Sequence, residues 1–142
     1  MSALVEPDVM TAVQAVECLG RGVHVGVARC LVRDLVLRGL LARGATYGSA
    51  FSGLDCIAAA MDDELDGEWT YRFASERLPY ARRGLLRAWG ERGLRAERCY
   101  ADAAGEAAVA EEQVDLWAIT PSCARPFRGE TGVEAARDSD LR

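Results

Sequence analysis

Apolar residues recur at helical spacing near the start of the chain, and the rhythm changes near residue 45 to short strand-like and helix-like runs in alternation. Over residues 8–19, Val9, Val13, Val16 and Leu19 share one side of a predicted helix. Over residues 25–43, Leu31, Val32, Leu35, Val36 and Leu40 make the apolar face of a second helix. Gly39 weakens that helix, and Gly44 is expected to end it.

Beyond residue 45 a first strand is expected over Thr46–Phe51, followed by a helix that turns Leu54, Ile57, Ala58, Met61 and Leu65 towards a sheet. Gly67 separates it from a second strand, Trp69–Ala74. Pro79 suits the first turn of the next helix, whose buried side is expected to hold Leu78, Leu85, Leu86 and Trp89. A third strand is predicted over Arg95–Tyr100, a short solvated helix over residues 102–113 and a fourth strand over Val114–Thr120. This alternation predicts an α/β fold, a mostly parallel sheet with flanking helices and right-handed crossovers. Three segments result: an N-terminal helical segment (1–44), the α/β part (45–128) and a flexible polar tail (129–142).

With 142 residues the chain makes about one domain. Its net charge of −5 argues against an autonomous nucleic-acid binder, which needs clustered positive charge. The five cysteines are widely spread with no C-x-x-C pair, so neither a metal site nor a disulfide framework is expected. Reduced thiols fit an intracellular protein. Glu6 and Asp8 interrupt the N-terminus, no signal peptide is expected, and no run approaches the roughly 20 apolar residues of a membrane span.

Candidate chemistry gathers at the predicted strand ends, where open α/β sheets bind ligands. Between the first strand and helix, Gly48 and Gly53 permit close backbone approach, and the helix terminus offers N–H groups to a ligand. The same glycines also suit a purely structural turn. Glu76 follows the second strand, where a carboxylate can accept the hydroxyls of a ribose or stabilise a helix terminus. Asp102 follows the third and either accepts from an adenine amino group or caps a helix. Cys123 stands in a proline-bounded loop after the fourth, with Arg125 and Arg128 near enough in sequence to favour its thiolate. It is a nucleophile candidate, with a buried unreactive thiol as the alternative. Cys18, Cys30, Cys56 and Cys99 read as core residues, and His24 as structural or exposed.

Phe51-Ser52-Gly53-Leu54, Glu76, Asp102 and Pro121-Ser122-Cys123 occur in that order, with 25, 26 and 21 residues between Phe51, Glu76, Asp102 and Cys123. This ordered set resembles the N-terminal catalytic half of the cytosine-5 DNA methyltransferases, over about residues 46–127. The resemblance implies a partial Rossmann-like methyltransferase fold. It implies S-adenosylmethionine at Phe51, Ser52, Gly53 and Leu54, with its ribose on Glu76 and its adenine near Asp102. It further implies that Cys123 attacks C6 of a flipped cytosine in DNA while C5 takes the methyl group.

Several family features differ. Asp55 and Cys56 stand where the family generally keeps glycines, which is expected to bring a side chain beside the cofactor's methionine end. Ser122 replaces a frequent proline, and the Glu-Asn-Val and Gln-x-Arg-x-Arg segments do not occur. Weak activity, or none alone, is therefore expected. The alternatives are a non-enzymatic interaction module, or half of a split enzyme whose protein partner completes the sheet.

Overall fold

The computed structural model describes Thr11, Gln14 and residues 24–101 and 113–120. The expectations for the rest of residues 8–19, for residues 102–112 and for the tail lie outside the described residues. Thr11 and Gln14 exchange the two bonds of a capping box, each backbone N–H donating to the other's side chain, at 2.9 and 3.3 Å.

Helix α1 (Val25–Leu37) starts at His24, whose Nδ1 accepts the Gly26 N–H at 3.1 Å. It ends earlier than the expected Gly44. Gly39 adopts φ 69°, and the Leu40 and Gly39 N–H groups donate back to Leu35 and Val36 carbonyls at 2.9 and 3.0 Å. That pair of bonds is a Schellman stop, which glycine accepts without a Cβ clash. The buried face is therefore Ala28 and Val32 with Leu35 and Val36 half-buried, whereas Leu31 and Leu40 are exposed. Cys30, expected in the core, is also exposed.

Strand β1 (Ala45–Ala50), helix α2 (Cys56–Glu64), strand β2 (Trp69–Ser75) and helix α3 (Pro79–Trp89) follow in the predicted order. Phe51, expected inside the first strand, is the first residue beyond it. Pro79 opens α3 as its missing N–H and fixed φ favour. Strand β3 is only Cys99–Tyr100, because the charged run before it forms a 3₁₀ turn at Ala96–Arg98 rather than the expected strand. Strand β4 (Leu116–Ile119) is shorter than predicted by two residues at its start and one at its end.

The four strands form one all-parallel sheet in the order β3-β2-β1-β4. Ala45, Tyr47, Trp69, Tyr71 and Ala74 on one face pack with Ala28 and Val32 of α1, Ala58 and Met61 of α2 and Leu85 of α3. Rings of Tyr47, Trp69, Tyr71 and Trp89, in edge-to-face and tilted contacts with neighbouring centroids 5.0–5.8 Å apart, run through that layer. On the opposite face Gly48 pairs with Phe73 on one side and Trp117 on the other. The two rings meet edge to face at 6.1 Å, and a Cβ on Gly48 would come within 2.1 Å of Phe73. Gly48, expected to admit a ligand, instead admits a phenyl ring.

Candidate functional site

The chain runs outward from β1 through β2 to β3 and then crosses to β4 on the far side of β1. The strand order thus reverses between β1 and β4, and the carboxyl ends of strands at such a switch point border the usual ligand crevice of an open α/β sheet. Beyond β1 lies a tight turn in which Phe51, Gly53 and Asp55 all have positive φ, at 56°, 56° and 55°. For Phe51 and Asp55 that conformation is strained, and it persists only where surrounding bonds impose it.

Those bonds come from both neighbouring strands. From the β4 side, Thr120 donates its N–H to the Ala50 carbonyl at 3.1 Å and its hydroxyl to the Phe51 carbonyl at 2.9 Å. From the β2 side, the Ser52 N–H reaches the Ser75 carbonyl at 3.0 Å and the Gly53 N–H reaches Glu76 Oε2 at 2.8 Å. Ser52 is buried by this arrangement, whereas Phe51 is 43% exposed at the switch point. Leu54, half-buried, leads into α2.

Glu76 is nearly buried, and its other oxygen, Oε1, accepts the Leu78 N–H at 2.8 Å ahead of α3. The carboxylate therefore links the β1 turn to the start of α3, while its own N–H donates to the Tyr100 carbonyl at 2.9 Å. A carboxylate oxygen offers more than one acceptor direction, so each retains capacity for a further donor. The bonds of Ser52 to Ser75 and of Gly53 to Glu76 set the turn that holds Phe51 beside the end of β2. Asp102 and Cys123 lie outside the described residues. Before them, Tyr100 pairs with Ser75, and Thr120 binds the end of β1, both at this edge of the sheet.

Under the turn lies a polar cluster that the sequence reading missed. Asp55 turns into the core rather than towards the crevice, which corrects the expectation that its side chain stands beside a cofactor. Its Oδ1 accepts from the Tyr47 hydroxyl at 2.8 Å and from the Ala58 N–H at 3.0 Å, and its Oδ2 accepts from the Tyr71 hydroxyl. Ser49 joins by hydrogen bonds with the Tyr71 hydroxyl at 2.6 Å and with Ser52. Asp55 also caps α2, so the Ala58 N–H is taken up by the protein's own carboxylate. Burial raises the Asp55 pKa, with the hydrogen bonds from Tyr71, Ala58 and Tyr47 opposing it. Burial, and then the Asp55 charge, lifts both tyrosines well above their ordinary range. The available signal was hydroxyl-bearing residues at Tyr47, Ser49 and Tyr71, on strand positions that alternate towards the core.

Cys56 and Cys99 have little thiolate character. Burial pushes Cys99 up to about 11, and burial with the adjacent Asp55 charge raises Cys56. Both are half-buried rather than fully in the core. Two open depressions, of about 280 and 250 Å³, lie away from the Phe51–Glu76 turn, beside β2 and on α1 respectively.

Among the described residues no helix is long and apolar enough to cross a membrane. The chain is an α/β protein with a four-stranded parallel sheet flanked by helices, compatible with a Rossmann-like arrangement. Compared with family models, curated proteins and solved structures, it matches none of them.

Proposed function

We propose that this chain is a methyltransferase-like module that holds S-adenosylmethionine at Phe51, Ser52, Gly53 and Leu54, with the ribose on Glu76 and the adenine beside Asp102. Its proposed reaction is methyl transfer to C5 of cytosine in DNA. The observation that carries this reading is the 2.8 Å bond from Gly53 to Glu76, which joins a strained turn at the sheet's switch point to an acidic residue at the end of the neighbouring strand β2. These residues suit the group. Glu76 keeps acceptor capacity for the two ribose hydroxyls, and the exposed Phe51 ring offers an apolar surface beside them. When bound, the cofactor supplies an electrophilic methyl group.

Cys123 is the proposed nucleophile. Its thiolate forms a bond to C6 of a flipped cytosine, and that bond breaks again once the C5 proton has left. A general acid that protonates the ring is typically worth ~10²–10⁴-fold to this chemistry. The chemistry is tested by incubating the chain with S-adenosylmethionine and fluorocytosine duplex DNA. A covalent complex that disappears in Cys123→Ala supports it, and an adduct that persists in that variant removes the cysteine from the mechanism.

One observation favours a second reading, a non-enzymatic module or split half whose partner completes the sheet. Strand β4 pairs only with β1 among the described residues, and its Trp117 and Ile119 are 43% and 55% exposed. Light scattering distinguishes this reading. Self-association lost in the Trp117→Ser variant supports it with a second copy as the partner, and self-association unchanged by that substitution speaks against it.

A further inference from the structure

Basic charge is segregated in this chain. Between residues 72 and 98 eight arginines face three glutamates, five positive charges in excess within a chain of net charge −5. Arg92 and Arg82 are among those committed to the fold. Arg92 binds Asp62 at 2.6 Å, and Arg82 donates to the carbonyls of Glu76 and Arg77 at 2.8 and 2.9 Å. Three others, Arg72, Arg95 and Arg98, line one open depression of about 280 Å³ together with Thr70, Gly93 and Glu97. Arg72 and Arg95 have no side-chain partner among the described residues.

The depression lies beside the outer edge of β2, before β3 begins to pair at Ala74. It is therefore at the opposite end of β2 from the Phe51–Glu76 turn. Arg72 and Arg95 against the single carboxylate of Glu97 leave a net positive charge there, which an anion relieves. The planar guanidinium fork matches phosphate oxygens in pairs. A depression this small and open suits phosphates of a passing polymer better than the enclosure of a whole small ligand.

We propose that this depression binds the phosphate backbone of a nucleic acid, independently of base sequence. An anionic membrane fits less well, because surface binding to lipid needs apolar anchors beside the basic residues. Among the described residues the exposed large hydrophobic ones lie on α1, in the turns after α1 and β1, and on β4, and none falls between residues 69 and 100. The site stands apart from the methyl-transfer reading and does not depend on it.

The test is fluorescence anisotropy of a labelled duplex of about 20 base pairs, without cofactor, from about 50 to 200 mM salt. Binding is expected at low salt and should fall steeply as salt rises. The double variant Arg72→Glu, Arg95→Glu should lose at least about tenfold in affinity, with the salt slope shallower by about 2, near 0.9 per phosphate contact. The control Arg38→Glu, Arg43→Glu makes the same change in net charge at exposed arginines elsewhere and should stay within about twofold of the parent. An Arg72→Gln, Arg95→Gln variant, with circular dichroism matching the parent, should show the same ordering. Absence of low-salt binding, or equal loss in the control, overturns the proposal. So does binding to phosphatidylserine vesicles that is tighter than to DNA and lost in the same variant. Because no cofactor is present, failure here leaves the methyl-transfer reading standing, and failure of that reading leaves this one untouched.

Discussion

Glu76 accepts the Gly53 N–H at 2.8 Å with one carboxylate oxygen and the Leu78 N–H at 2.8 Å with the other, so one side chain fixes both the β1 turn and the approach to α3. Truncation leaves two partly buried donors without that partner. Glu76→Ala should therefore destabilise the fold by about 2–4 kcal/mol, since each donor left unsatisfied costs about 1–3 kcal/mol and water recovers part of it. Glu76→Gln retains an acceptor and should cost about half as much. Urea unfolding of both variants checks the ordering, and equal midpoints for Ala, Gln and the parent would remove the brace from the account.

The Asp55 cluster gives stability a definite pH dependence. Burial raises the folded-state pKa of this carboxyl above the ordinary 3.8, so between the two values the folded chain holds the extra proton. Its contribution is fully present below the unfolded pKa and is lost as pH rises through the higher folded value. Asp55→Asn, which can still accept from Ala58, removes that titration. Parent stability minus Asp55→Asn stability should therefore fall as pH rises from the ordinary aspartate range, in urea midpoints taken across the acid limb. A difference that grows with pH contradicts the sign.

Tyr47 and Tyr71 act in the same sense at the alkaline end. Both are held well above 10, so stability should drop as pH rises past the unfolded tyrosine value. Tyr71→Phe keeps the ring packing but leaves Asp55 and Ser49 one partner short, at a cost of about 1–3 kcal/mol. The loss of one phenol should also make the alkaline fall shallower, as tyrosinate absorbance followed alongside unfolding would report.

Gly48 carries a steric constraint. A methyl group there would overlap Phe73, whose ring is held edge to face against Trp117. Gly48→Ala should cost about 1–3 kcal/mol through displacement of that ring, with a change in near-ultraviolet circular dichroism. The paired substitution Gly48→Ala, Phe73→Leu should recover part of the loss. Failure of any recovery would place the strain elsewhere.

The α/β alternation was legible because apolar residues alternate through residues 45–50 and 69–75 and recur at helical spacing between them. Pro79 marked the start of α3 without ambiguity. The end of α1 was misplaced because Gly39 and Gly44 both adopt positive φ, at 69° and 83°, and only the bonds from Gly39 and Leu40 back to the helix tell which one stops it. The third strand shrank because a charged segment at the sheet edge finds its backbone bonds in a 3₁₀ turn. At the candidate site, the nearness of Phe51, Ser52, Gly53 and Glu76 followed from strand order, whereas the inward turn of Asp55 depended on hydroxyls 8 and 16 residues away. Net charge concealed the arginine depression, since acidic residues elsewhere in the sequence cancel it.

The central claim is that the turn after β1 and Glu76 hold S-adenosylmethionine, and calorimetric titration of the full chain tests it most directly. The account predicts saturable binding with one ligand per chain, weakened at least about tenfold (about 1.4 kcal/mol) by Glu76→Gln in protein whose circular dichroism matches the parent. A folded protein that gives no binding heat at any of several temperatures, and no ligand-dependent rise in melting temperature, would contradict it.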